Sequence, residues 1–182
     1  MFNQFKKTAL VAAAGLAFVA TPAFAADGNP ATETGTAQVR ILEALSIDAT
    51  ADTLDFGLMV KGAPIQTAGA TSFSDFTIDA DGTVGTCPTD WTCSGTQSEA
   101  TFTVTGTAGA NVQLSLTNAN VDLDGNLAED YLDVALDLSD STVLLDATTG
   151  EATFSVGGTL TVRGDVPTGT YDEPFEVQAE YL

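Results

Sequence analysis

The stretch Ala152–Leu182, ATFSVGGTLTVRGDVPTGTYDEPFEVQAEYL, decides the fold. Phe154 and Val156 alternate with Thr153 and Ser155, a Gly157-Gly158 pair follows, and Leu160 and Val162 then alternate with Thr159, Thr161 and Arg163. Beyond Pro167–Gly169, the residues Tyr171, Phe175, Val177, Ala179 and Tyr181 share one parity. Apolar residues at period two, bounded by Gly and Pro, mark strands with one buried face. The stretch predicts a strand, a break at the glycine pair, a second strand, a turn and a final strand.

The same grammar extends upstream. Ala37, Val39 and Ile41 alternate, and Leu45 and Ile47 continue after a kink near Leu42–Ala44. Leu54, Phe56 and Leu58 follow, then Phe73, Phe76 and Ile78 ahead of Asp81-Gly82. Phe102 and Val104, then Val112, Leu114 and Leu116, then Leu132 to Leu138, make further runs, and Val143–Leu145 makes a short one. Thr, Val and Phe dominate these runs and turn residues separate them, which predicts an all-β antiparallel sandwich of the immunoglobulin-like or pilin-like kind. A helical period is nearly absent; only Leu127–Leu132 has room for a turn of helix.

The opening residues predict an address. Lys6 and Lys7 precede an apolar run from Ala9 to Ala20, and Ala23-Phe24-Ala25 closes it. A basic region, a short apolar region and an A-x-A site make a secretory signal peptide over residues 1–25, and the run is too short for a spanning helix, which takes about 20 apolar residues. The expectation is a chain exported to the periplasm, cell surface or medium, with no transmembrane segment. Residues 26–35 read as a flexible leader and residues 36–182 as one domain, a length that suits a single core.

The chain holds 25 acidic and 5 basic residues, a net charge of −20. Removing Lys6 and Lys7 with the signal peptide takes this to −22 and leaves Arg40, Lys61 and Arg163 as the only bases. Nucleic-acid binding, which needs cations to displace phosphate counterions, is not expected. Such a surplus favours solubility, basic partners and divalent cations as counter-charge.

The ending, with its VGGTL-V strand pair followed by P-GTY…F-V…Y, resembles the C-terminal signature of a family of secreted bacterial β-domains catalogued as a domain of unknown function, four-four-zero-two. An opening A-V-I…LSI strand, an L-FG and an F-VTG are similar in the same order, at Ala37–Ile47, Leu54–Gly57 and Phe102–Gly106. More loosely, the ending is similar to chaperone–usher pilins and spore-coat-U-type subunits, which close on a strand finishing near a Tyr. The chain departs from the family pattern in ending on Leu182 and in carrying what looks like an inserted loop over Thr86–Gly95. The resemblance implies architecture and export; it implies no reaction.

That loop holds both cysteines, Cys87 and Cys93. In an exported chain so close a pair reads as a local disulfide. Two thiolates without a single His in the sequence do not complete the usual zinc set, and the spacing is not that of a redox C-x-x-C. Trp91, the sole tryptophan, lies between them. It is a candidate contact for a sugar or protein partner, with core packing as the competing role. Asn120, Asp122 and Asp124 have the alternate oxygens of a calcium loop, and Asp79-Ala-Asp81-Gly82 is a shorter version. Counting from Asn120, however, the position of the closing Glu falls on Tyr131, and Asp, Asn and Gly are also what β-turns use.

With no His, a Ser–His or Cys–His nucleophile cannot be built, and no phosphate-binding or dinucleotide glycine motif appears. No catalytic residues and no cofactor are expected. The leading expectation is a non-catalytic structural subunit of a pilus-like or coat-like surface assembly, with itself or related subunits as partners. The alternative is a binding module that recognises a sugar or protein through the Cys87–Cys93 loop. For assembly, Ala37, Val39 and Ile41 are the candidate donor strand: inserted into a neighbouring subunit, alternate apolar side chains would fill its groove. The same alternation fits the first strand of the chain's own sheet.

Overall fold

A computed structural model describes residues 33–62, 72–123 and 132–182. The predicted signal peptide, most of the leader, all of the candidate helical turn Leu127–Leu132 except Leu132, which begins a strand, and Asp124 lie outside the described residues. The chain divides into two units, Met1–Arg40 and Ile41–Leu182. The second consists of antiparallel strands in chain order β1 (Ser46–Ala51), β2 (Leu58–Lys61), β3 (Phe73–Ile78), β4 (Trp91–Ser94), β5 (Ala100–Thr105), β6 (Asn111–Leu116), β7 (Asn120–Asp122), β8 (Leu132–Leu138), β9 (Thr142–Leu144), β10 (Glu151–Arg163) and β11 (Val177–Tyr181). The all-β expectation holds.

The larger sheet runs β1-β5-β10-β8-β7, with β3 also on β10; a second runs β11-β6-β9, and β2 pairs with β4. The long strand β10 organises everything. Its first half pairs with β5, placing Phe154 opposite Phe102, and its second half pairs with β3, placing Leu160 opposite Phe76. β8 lies along its other side from Val156 to Val162. Phe154, Val156, Leu160 and Val162 are all buried, so one continuous face serves two clusters.

The first cluster gathers Phe102, Val104, Phe154 and Val156 from the large sheet with Val112, Leu114, Val143 and Leu145 from β6 and the β9 region. This is sheet packed on sheet, with alternate side chains of both inner faces interdigitated. Phe102 stacks on Phe154 at 5.5 Å and meets Phe175 edge-on at 6.1 Å. Among the described residues the second cluster, Leu132, Val134, Leu160, Val162 and Val166, takes no cover from the β11-β6-β9 sheet. Its cover is Leu54, Phe56, Met59, Trp91, Leu123 and Tyr171, drawn from irregular segments and the β2–β4 ladder.

Four expectations need correction. The glycine pair does not break a strand: β10 runs through it. A Cβ on Gly157 would lie 2.4 Å from both the Ala80 amide nitrogen and the Ile78 carbonyl oxygen, so glycine is there for the close approach of the end of β3. The final strand starts at Val177 rather than Tyr171. Pro174 denies the ladder a donor and restricts the residue before it, while the Tyr171 hydroxyl donates to the Pro167 carbonyl at 2.9 Å. The run at Leu54 becomes a strand only from Leu58. Gly57, at φ 72°, turns the chain there, and its amide donates to the Asp55 carboxylate at 2.7 Å. Finally, Ala37–Ile41 forms no strand; the first begins at Ser46, which already occupies the edge of β5. Alternation selects a face but supplies no partner, and these residues have none in the ladders described.

Candidate functional site

Two openings in the packing stand out among the described residues of the Ile41–Leu182 unit. The larger is a cleft of about 1370 Å³ over the second cluster, floored by Val121, Val134, Leu136, Leu160 and Val162 and walled by residues 52–61 and 164–175. Trp91 sits in its wall. The cleft exists because the small sheet covers only the first half of β10, leaving loops to cover the rest.

Cys87 and Cys93 are bonded, with their Cα atoms 5.7 Å apart. Half of the expected inserted loop is strand: β4 carries Trp91 and Cys93 and pairs with β2, placing Lys61 opposite Trp91 and Met59 opposite Cys93. The left-handed residue Asp90, at φ 70°, turns the chain into β4, and the Trp91 amide donates back to the Pro88 carbonyl. The disulfide therefore fixes the entry to β4 and, with it, the indole. By the chain-entropy relation so small a ring contributes about 2 kcal/mol. Trp91 packs against the second cluster. Its Nε1 is buried and has no hydrogen-bond partner among the described residues.

Two of the three bases that follow the predicted signal peptide gather nearby. Lys61 lines the cleft and its ammonium donates to the Val166 carbonyl. Arg163 holds Asp165 in a two-pronged pair, Nε to Oδ1 at 2.6 Å and Nη2 to Oδ2 at 3.3 Å. Hydrogen bonding from Arg163 holds the Asp165 carboxyl below its ordinary range, with its charge and that of Lys61 acting in the same direction.

The smaller opening, about 500 Å³, lies between the starts of the two sheets' outer strands and is lined by Leu45, Ile47 and residues 177–180. β1 ends one sheet and β11 the other. Leu45, Ile47, Val177 and Ala179 pack on the first cluster yet remain only partly buried, so the core reaches the surface here. The Tyr181 hydroxyl accepts from the Thr107 amide at 2.7 Å and donates to the Glu43 carbonyl at 2.8 Å, tying the last strand to the chain entering β1. Residues 45–181 match the family described as domain of unknown function DUF4402.

The chain belongs to that family. The match begins at Leu45, which lines the smaller opening, and ends at Tyr181, so Ala37, Val39 and Ile41 lie ahead of the DUF4402 region. No curated protein and no solved structure matches the chain.

The remaining sequence candidates fall elsewhere in this DUF4402 chain. Val39 and Ile41 are 81% and 85% exposed. Asn120 and Asp122 belong to β7, opposite Ala135 and Asp133 in β8. Asp79–Thr83 is a turn: the Asp79 and Thr83 backbones bond at 2.9 Å, the Thr83 amide donates to Asp81 at 2.9 Å, and Gly82 has φ 82°. Bonding from Thr83 lowers the Asp81 pKa. Among the described residues no three His, Cys, Asp or Glu side chains gather to hold a metal ion, and no helix is long and apolar enough to cross a membrane.

The cleft and the gap were not legible in the alternation. Both arise where one sheet outruns the other, and strand lengths at that precision are set by pairing between distant segments. The alternating parity of Val177, Ala179 and Tyr181 was the one available signal for the gap.

Proposed function

We propose that this chain is a non-catalytic, exported structural subunit of a bacterial surface assembly, pilus-like or coat-like, whose partners are further copies or related subunits. The observation that carries the reading is the state of Thr36–Ile41. A segment with strand alternation stands outside its own sheets with Val39 and Ile41 exposed. Exposed apolar side chains in register are costly to a free soluble domain and useful to one that joins another. The pilin-like subclass of the sandwich, export beyond the inner membrane, and divalent cations that screen a charge of this size belong to the same proposal.

Immuno-electron microscopy of cell-surface material with an antibody to this chain tests the reading. Regular labelled filaments or a coat layer are expected, and labelling confined to dispersed single molecules would overturn it.

The Trp91 cleft supports a second reading, a binding module for a sugar or protein. The Trp91 indole lines a cleft bordered largely by apolar side chains, the kind of lining that holds small ligands. Quenching or shift of the single tryptophan's fluorescence on addition of oligosaccharides would favour it; emission unchanged across a glycan panel would count against it.

A further inference from the structure

We infer that the Trp91 cleft takes a cationic amphiphile, a single apolar chain carrying an ammonium group, with the chain on the sheet face and the ammonium at the aromatic and acidic rim. The inference goes beyond both readings above: it needs neither assembly nor a sugar, and it fixes the chemistry of the ligand.

The floor calls for an apolar chain. Val121, Val134, Leu160 and Val162 are buried, Leu136 is partly buried, and all five line the cleft. They come from the neighbouring strands β7, β8 and β10, so the aliphatic surface is continuous across the sheet. Such a surface binds by removing apolar area from water, and the gain grows with the length of chain laid on it. The volume of about 1370 Å³ exceeds the roughly 300–1,000 Å³ of most small-ligand pockets, which leaves room for a long chain.

The rim has a different character, and it is the same on both walls. Residues 52–61 supply Phe56 together with Asp52 and Asp55, and residues 164–175 supply Tyr171 and Phe175 together with Asp172 and Glu173. These rings and Trp91 are partly buried, while the four carboxylates are exposed. The rings are held in place: Phe56 packs on Phe76 at 6.1 Å, Phe175 meets Phe102 at 6.1 Å, and the Tyr171 hydroxyl donates to the Pro167 carbonyl. Aromatic faces attract ammonium groups through the ring quadrupole, and carboxylates beside them act in the same direction.

Charge selects the sign of the head group. Asp165 is a further carboxylate among the described lining residues, and Lys61 is the only base there. The Lys61 ammonium donates to the Val166 carbonyl and acts on Asp165, and Arg163 holds Asp165 in its two-pronged pair. An anionic amphiphile would meet this carboxylate surplus at the rim and, on its approach, the field of a chain with net charge −20. A cation is drawn by both. The same field disfavours a second copy of the chain, or an acidic peptide, as the occupant.

Titration calorimetry, read together with the emission of Trp91, tests this with three probes of equal chain length. They are decyltrimethylammonium, decyl maltoside and decanoate, each kept below its micelle-forming concentration. The cation is expected to bind as a single molecule per chain, to shift the Trp91 emission, and to bind about tenfold tighter than decyl maltoside, with decanoate weakest. Equal or tighter binding of decyl maltoside or decanoate would overturn the inference while leaving an apolar site of another class. Many cations per chain with Trp91 unmoved would be an adventitious coat on an acidic surface, and would overturn it too. Replacing the two exposed carboxylates together, Asp172→Asn with Glu173→Gln, should weaken the cation about fivefold and leave decyl maltoside unchanged; a cation affinity unmoved by this pair would contradict the rim's part in it. Met59→Arg sets a base in the wall and should abolish cation binding with wild-type circular dichroism, and retained binding would place the ligand elsewhere. If Met59→Arg fails to fold, the probe series and the Asp172 and Glu173 pair decide. A chain that binds none of the three probes overturns the inference without bearing on assembly, which the microscopy of surface material decides.

Discussion

Tyr181 and Asp146 show how single side chains set the boundaries of this domain. The Tyr181 hydroxyl bonds both Thr107 and Glu43, holding the entering chain against the last strand. Tyr181→Phe removes both bonds and should lower unfolding free energy by about 1–2 kcal/mol in urea titration, with faster amide exchange at Thr107. An unchanged midpoint would show that the phenol acts only as apolar cover. Asp146 caps the turn into β10: the Thr148 and Thr149 amides donate to its Oδ1 at 2.7 and 2.8 Å, and Gly150 follows at φ 72°. These donors, Thr149 first, hold the carboxyl below its ordinary value. A pKa depressed in the folded state gives stability that is present above the unfolded value, about 3.9 for Asp, and lost as pH falls through the folded one. Asp146→Ala should therefore lower the urea midpoint near neutral pH, and the deficit should shrink in acid. A deficit as large in acid as at neutral pH would mean the charge is irrelevant.

Among the strands, β10 is where the sequence speaks most clearly and also where it misleads. Its alternation, Phe154 to Val162, correctly identifies both the strand and its inner face. What the glycines do could not be read from it, because a glycine that ends a strand and one that admits a neighbour look alike without the neighbour. The approach of Ala80 and Ile78 to Gly157 is a contact between residues far apart in sequence. Gly157→Ala should cost about 1–3 kcal/mol through overpacking, read by urea unfolding, and should weaken the pairing of β3 first. A neutral substitution would show that β3 yields easily. The same limit applies to Ala37–Ile41. Alternation there was legible, but whether the segment joins its own sheet depends on β1 having already taken the β5 edge. Trp91 was singled out by being the sole tryptophan within the cysteine pair, yet the cleft around it is formed by residues 52–61 and 164–175 and by the inner face of β8 and β10.

The Ile41–Leu182 unit thus has a well-filled core where two sheets overlap and two openings where they do not. One opening has the Trp91 indole in its wall. The other presents an unpaired strand edge beside exposed core. The chain's large negative charge sets conditions on any assembly: repulsion between copies should make it stronger as salt or calcium screens the carboxylates. The edge position of β11 is local, and hydrogen exchange read amide by amide tests it most directly. In the monomer the amides of Val177, Ala179 and Tyr181 should exchange fast while those of Gln178 and Glu180, bonded to β6, are slow. Amides of Val177, Ala179 and Tyr181 as slow as those of Gln178 and Glu180 would contradict the edge position of β11.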